Sequence, residues 1–375
     1  MLLGAGRQQG HEPGTRGLRR GPLQDLPRVR TSRGVGVTMS DNPGHHPLIA
    51  LTGATGFLGS HIADCLLARG FRVRASVRAT SSLRWLEGKD LETVVLDLDQ
   101  PADADRLLEG ADGIIHCAGV VSETRPGDYE HGNVDITRCL LEAATRRWSE
   151  APGGHAPAFV FISSLAAHGP ATLDNPALES NESAPITAYG RSKRDAETAV
   201  TRAGGLFRRA ILRPPALYGP RDKDFLPLLR LAKAGWTVRL GRTMNGLSLV
   251  DGRDAASAAV ALLECPEAEG VFFVDDGTRG YDHRGLVAAL SAAAGRRVRT
   301  IPVPLWPLRA ASQVFGRGPA GRLPVLNKDR VRDLSAVGWA CDGRRLVAMT
   351  GFEAQWDAAR GLTDTMEFCR REGWL

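Results

Sequence analysis

Tyr189 and Lys193 lie four residues apart in Tyr189-Gly190-Arg191-Ser192-Lys193, and Ser164 lies 25 residues before the tyrosine, ending Phe159-Val160-Phe161-Ile162-Ser163-Ser164. On a helix, side chains four apart share a face, so a phenol and an ammonium can enter one pocket. A free phenol titrates near ~10, and a neighbouring cation favours the phenolate. That moves the tyrosine toward a proton donor or acceptor at neutral pH. A Tyr-x-x-x-Lys pair also arises by chance on solvated helix faces, so its meaning rests on what surrounds it.

The elements that would position these groups begin upstream. Pro47-Leu48-Ile49-Ala50-Leu51-Thr52 is a short apolar run that reads as a buried strand. Gly53-Ala54-Thr55-Gly56-Phe57-Leu58-Gly59 follows, then Ser60 to Arg69 with Ile62, Cys65 and Leu66 at helical spacing. Gly70 ends that helix, and Phe71 to Val77 makes a second strand. Glycines at 53, 56 and 59 allow a tight turn, close approach of a pyrophosphate to backbone N–H groups, and close helix–strand packing. The expectation is a dinucleotide site. A carboxylate at the end of the second strand would hold a ribose 2′-hydroxyl, whereas an arginine accommodates a 2′-phosphate. Arg78 stands there, followed by Ser81, Ser82 and Arg84 without an acid. NADP is therefore expected, and NAD less so.

The G-x-x-G-x-x-G spacing of Thr52 to Gly59 resembles the opening of the extended short-chain dehydrogenase/reductase family, in its epimerase/dehydratase-like branch. The cofactor segment around Arg78 is most similar to the dihydroflavonol and cinnamoyl reductase-like members. The similarity continues along the chain. Thr93-Val94-Val95-Leu96-Asp97-Leu98 is a third strand, with Asp97 and Leu98 where the family contacts adenine. Gly113-Ile114-Ile115-His116-Cys117-Ala118-Gly119 resembles the H-x-A-A/G segment, so Cys117, Ala118 and Gly119 would line the cofactor and His116 would not be a base. Asn133-Val134-Asp135-Ile136-Thr137 resembles the N-V-x-G-T helix start with its structural asparagine, Ile136 departing from the glycine. Ala210 to Pro220 closely resembles L-R-P-x-x-V-Y-G-P, which brings Pro214, Ala216 and Leu217 to the nicotinamide. Leu249 to Ala256 resembles the V-x-V-x-D-V-A segment, where Asp254 is a helix-start acid and not catalytic.

This resemblance covers about residues 47–375 and implies an α/β fold, a Rossmann doubly wound parallel sheet with a smaller interleaved C-terminal substrate lobe. Residues 47–219 would form the NADP-binding core with the catalytic groups. Residues 220–375 would be mostly substrate lobe, with 249–275 returning to the core. By resemblance, Ser164 holds the substrate oxygen, Tyr189 moves the proton, and Lys193 also binds the nicotinamide ribose. Ser163 could take the serine's part, although Ser164 fits the family position better. Gly53, Thr55, Gly56, Phe57, Leu58, Gly59 and Arg78 complete the expected cofactor contacts.

Composition narrows the rest. No apolar run is long enough for a spanning helix. The six cysteines form no C-x-x-C pair and the histidines no ligand cluster, so neither a disulfide scaffold nor a metal site is expected, and a cytoplasmic location is. Net charge is +6, but residues 1–38 carry seven arginines against Glu12 and Asp25. The remainder is close to neutral, which argues against a nucleic-acid groove. Residues 1–46 read as a disordered basic extension, with Met39 an alternative start.

The expected activity is interconversion of a carbonyl and an alcohol on a hydrophobic or aromatic small molecule. A nucleotide-sugar epimerase using the same triad is the alternative. A non-catalytic NADP sensor is a third reading, disfavoured because Tyr189 and Lys193 are present. Leu165 and Ala166 stand where sugar dehydratases carry Asp and Glu, and Gly246 to Asp251 lacks the arginine common in epimerases. Arg239 and Arg242 could still hold a phosphate. Ile301 to Ala311 reads as a strand leading into a packed helix, or as an apolar wall or membrane contact for a lipid-like substrate. Family members are often dimers through a two-helix contact, and the sequence leaves the oligomeric state open.

Overall fold

Leu48–Thr52, Gly113–His116 and Ala158–Ile162 become strands buried along their whole length because both faces of each are covered. The computed structural model describes residues 46–375 except 124, 150–155, 242–244 and 308–327. The expectations for residues 1–45, including Met39, and for Arg242 lie outside the described residues. Seven strands form one parallel sheet: β1 (Leu48–Thr52), β2 (Arg72–Val77), β3 (Glu92–Val95), β4 (Gly113–His116), β5 (Ala158–Ile162), β6 (Arg208–Arg213) and, at the far edge, β10 (Gly270–Phe273). Their spatial order is β10-β6-β5-β4-β1-β2-β3. The order reverses between β1 and β4, and in doubly wound sheets that crevice at the strands' carboxyl ends is where a nucleotide binds. This is the expected Rossmann architecture.

Alternation along each strand divides the core in two. Ile49, Leu51, Ile115, Val160, Ile162 and Leu212 point to the face covered by α1 (Phe57–Ala68) and α6 (Gly252–Glu264). Ala50, Ile114, Phe159, Phe161 and Ile211 point to the face covered by α2 (Pro101–Leu108), α3 (Ile136–Trp148) and α4 (Ala188–Arg202). Period-two packing on both faces explains why these strands read as continuous hydrophobic runs. α1 and α6 approach closely because Gly252 has no side chain: a Cβ there would lie 2.6 Å from the Phe57 ring.

One boundary differs from the sequence reading, and one strand is added. After β6, Pro214 and Pro215 interrupt the ladder. The chain resumes as the separate strand β7 (Ala216–Tyr218), which pairs in parallel with β9 (Leu249–Asp251). The third strand stops at Val95, so Asp97 and Leu98 lie beyond it.

A third core gathers Tyr218, Leu229, Leu249, Leu290, Leu362 and Met366. It joins α5 (Leu226–Lys233), α7 (His283–Ala294) and α10 (Ala358–Arg371) beneath a two-stranded parallel sheet of β8 (Trp236–Leu240) and β11 (Arg299–Val303). Two further short helices are α8 (Lys328–Ser335) and α9 (Arg344–Thr350). The expected strand in Ile301 to Ala311 is β11, while residues 308–311 lie outside those described. Trp306 beyond it is exposed rather than packed.

Candidate active site and nucleotide cleft

The turn after β1 is built as its glycines require. Gly53 adopts a left-handed φ of +71°, and a Cβ there would lie 2.7 Å from Ala118 N. A Cβ on Gly59 would lie 2.0 Å from Gly53 O, so α1 can begin this close to the strand only with glycine. No side chain caps that helix at Gly56, and its first turn holds no acid. Its leading N–H groups therefore suit an anionic ligand. Thr55, Gly56 and Phe57 are accessible at the turn, while Leu58 and Gly59 are buried behind it.

Thr52 and His116 are register partners at the ends of β1 and β4 and carry a closed hydrogen-bond set. Thr52 Oγ1 accepts from Cys117 N (3.1 Å) and Ala118 N (3.0 Å), so its own hydrogen goes to His116 Nδ1 at 2.7 Å. Thr137 donates to Asn133 O at 2.6 Å, so it accepts from His116 Nε2 at 3.0 Å. Both ring nitrogens are thereby used, and burial pushes the imidazole down to about 3. His116 is a neutral strut; the sequence reading had expected only that it would not be a base. Asn133 is structural too: its amide accepts from Val120 N and donates to Val120 O and Ser192 Oγ. Burial also pushes the Cys117 thiol up to about 12, which keeps it neutral beside the cleft.

Thr187 caps α4 by accepting from Gly190 N at 3.0 Å, which places Tyr189 and Lys193 on consecutive turns of one helix. Lys193 is buried, donates to Ile162 O at 2.7 Å, and lies 4.2 Å from the centre of the Phe161 ring. A Cβ on Gly119 would stand 3.7 Å from its ammonium, so the end of β4 and the catalytic helix meet at this cation. Ser164 caps the short turn Leu165–Ala167, its oxygen accepting from Ala166 N at 3.1 Å, and its hydroxyl lies close enough to that of Tyr189 to favour the phenolate. The three expected catalytic residues are thus brought together.

The electrostatics differ from the sequence expectation. Burial is the largest influence on both ionisable members: it pushes Tyr189 up to about 12 despite the nearby Ser164 hydroxyl, and Lys193 down to about 8. The tyrosine is a neutral phenol in this state. The sequence argument counted the neighbouring cation and omitted desolvation, which here is larger.

Ser163 points elsewhere. Its hydroxyl donates to Glu197 Oε1 at 2.5 Å, and Glu197 receives Arg213 through two bonds of 2.8 and 2.6 Å in an almost fully buried pair. Sequence reasoning missed this pair, because a glutamate on an amphipathic helix reads as solvated; the only signal was its place four residues after Lys193. It also missed Tyr129, whose ring centre lies 5.9 Å from that of Tyr189, and Asp329 of α8, which accepts from Ala188 N at 2.7 Å.

The remaining expected cofactor residues follow the ends of β2, β3 and β6. Arg78 is exposed at the end of β2, where its N–H donates to Ser81 Oγ at 3.1 Å. Asp97 is exposed beyond the adjacent β3, with Leu98 partly covered beside it. Pro214 O accepts from Leu165 N at 2.8 Å and backs the Ser164 turn, while Ala216 and Leu217 lie in β7. Asp254 accepts from Gln355 N and Trp356 N, a structural tie to the C-terminal segment. Among the described residues no cluster of three His, Cys, Asp or Glu could hold a metal, and no helix is long and apolar enough to cross a membrane.

The model of the NAD dependent epimerase/dehydratase family matches residues 49–273. A ceramide reductase from Caulobacter vibrioides is 29% identical over 330 residues, covering 88% of this chain and 96% of that protein. A UDP-glucose 4-epimerase from Vibrio cholerae is 27% identical over 311 residues, covering 78% of this chain and 90% of its own length. Among solved structures, a Thermus thermophilus UDP-glucose 4-epimerase with NAD superposes with a TM-score of 0.66 at 22% identity, over 86% of this chain and 99% of that one, a likeness of fold.

Proposed function

The chain belongs to the NAD dependent epimerase/dehydratase family of NAD(P)-dependent enzymes, and on that premise we propose that it is an NADP-dependent oxidoreductase interconverting a carbonyl and an alcohol on a hydrophobic or aromatic small molecule. The observation that carries this reading is the end of β2, where Arg78 is exposed and no carboxylate follows before Glu87. An arginine there suits a 2′-phosphate, and a carboxylate would repel one.

The glycine turn and α1 would hold the pyrophosphate, Arg78 with Ser81 the 2′-phosphate, Asp97 and Leu98 the adenine, and Cys117 to Gly119 with Lys193, Pro214, Ala216 and Leu217 the nicotinamide side. The bound dinucleotide supplies or removes a hydride. The chain's part is the proton. Ser164 would hold the substrate oxygen beside the Tyr189 hydroxyl. A phenol that burial keeps protonated is a competent donor to the oxygen of a carbonyl being reduced, which favours the reductive direction. Lys193, pinned to Ile162 O, keeps a cation beneath the site and stabilises the phenolate once the proton has left. The likeness to a ceramide reductase supports an apolar substrate.

Calorimetric titration with NADPH, NADH and UDP-glucose in parallel tests the reading. Tight NADPH binding without UDP-glucose binding is the expected outcome. Preference for NADH together with UDP-glucose binding would make the protein a nucleotide-sugar epimerase, with Arg239 as a candidate phosphate contact.

A further inference from the structure

The chain's near-neutral average outside its first 38 residues conceals a segregation of charge. Between Asp224 and Asp251 there are 26 residues with Arg230, Lys233, Arg239 and Arg242 and no acid. Between Asp282 and Asp329 there are 46 residues with eight basic side chains and no acid. The composition of the whole chain would put about eight acids in these two stretches together. Their described parts supply α5, β8, α7 and β11, and the two strands pair with each other.

One face of the β8–β11 sheet is covered by α5 and α7: Thr237 and Val298 are buried toward them, and His283 of α7 meets Thr300 Oγ1 at 2.8 Å. Among the described residues, no element covers the other face. Trp236 and Val238, two apart on one strand, point the same way. Val238 is the register partner of Ile301, and Trp236 of Arg299. Exposure is 41% for Trp236, 37% for Val238, 42% for Ile301 and 72% for Trp306 just beyond β11. Among the described side chains of α5, β8, α7 and β11, no arginine or lysine is ion-paired with a carboxylate.

We infer that this open, acid-free face docks the protein on the surface of an anionic phospholipid membrane, with Trp236 and Trp306 at the level of the headgroups and Arg299 and its neighbours against lipid phosphates. Tryptophan favours the membrane–water boundary because its ring is apolar while its N–H can remain hydrated. Basic residues near an anionic surface add attraction that salt screens. A second copy of the chain fits less well, because a two-fold contact through this face would set cations against the same cations. Nucleic acid has no use for the exposed valine and isoleucine. The inference does not depend on which substrate is reduced.

The test is co-sedimentation of the full chain with phosphatidylcholine vesicles containing or lacking phosphatidylglycerol. Residues 1–38 are a second basic segment, so the decision rests on variants that leave them intact. The expected result is salt-sensitive binding to the anionic vesicles only, weakened about fivefold by Arg299→Ser, and lost in Trp236→Ser/Trp306→Ser with thermal melting and NADPH binding unchanged. The inference is overturned by failure to sediment with anionic vesicles, or by sedimentation that the tryptophan substitutions leave intact. It is overturned equally if those substitutions abolish self-association or nucleic-acid binding instead.

Discussion

The hydroxyl of Ser163 donates to the carboxylate of Glu197, while the next hydroxyl along, Ser164, meets Tyr189. Adjacent residues leaving a strand point to opposite sides, so only one of two serines can face the cleft. The other is committed to the Glu197–Arg213 pair beneath it. Ser164→Ala should therefore lower turnover by about tenfold or more through loss of one hydrogen bond to the reacting oxygen. Ser163→Ala should instead lower stability by about 1–2 kcal/mol with turnover nearly unchanged. Steady-state NADPH oxidation and urea melts of both variants separate the two roles.

The buried pair itself predicts an asymmetry. Glu197→Gln leaves Arg213 charged and poorly compensated in the interior, which typically costs about 3–5 kcal/mol. Replacing both partners, as Glu197→Leu with Arg213→Met, should be less destabilising than the single substitution. Chemical denaturation of the single and double variants measures this directly, and a double variant worse than the single would contradict it.

Tyr189→Phe keeps the ring against Tyr129 and removes only the hydroxyl. Nucleotide binding should survive within about threefold, and turnover should fall by about two to four orders of magnitude. Calorimetry with NADPH and a single-turnover assay on any accepted carbonyl check the two halves separately. At the rim, Arg78→Asp should weaken NADPH by about tenfold or more while NADH changes little. Equal losses for both nucleotides would remove the case for phosphate recognition.

Much of this site was readable before any coordinates, for identifiable reasons. The glycine turn is dictated by backbone contacts that admit no Cβ, so its residues could not be disguised. The central strands are buried on both faces and therefore appear as apolar runs. What escaped the sequence are relations made only in three dimensions. Glu197 finds Arg213 across a gap of 16 residues by helix-to-strand packing. The acid-free stretches at 225–250 and 283–328 mean little until β8 and β11, one from each, pair side by side. The direction of the Tyr189 shift depended on how deeply α4 is buried, which helical spacing does not report.

Lys193 allows a prediction about stability and pH. Burial holds its folded-state value at about 8, below the ordinary lysine value, so the folded form binds fewer protons than the unfolded chain between those two values. Above the unfolded value both states are neutral at this residue and burial incurs no charge penalty. As pH falls toward 8 the unfolded chain takes up a proton that the folded chain does not, and stability declines by up to about 1.4 kcal/mol per pH unit. Below 8 both states are charged and this contribution is constant. In Lys193→Met, which keeps the apolar stem against Phe161, that decline should be absent. The difference in unfolding free energy between the variant and the native chain should therefore grow in the variant's favour as pH is lowered from 10 to 8, then level off. Urea melts of the nucleotide-free proteins across that range decide it, and parallel curves would show that the ammonium is better solvated than its surroundings indicate.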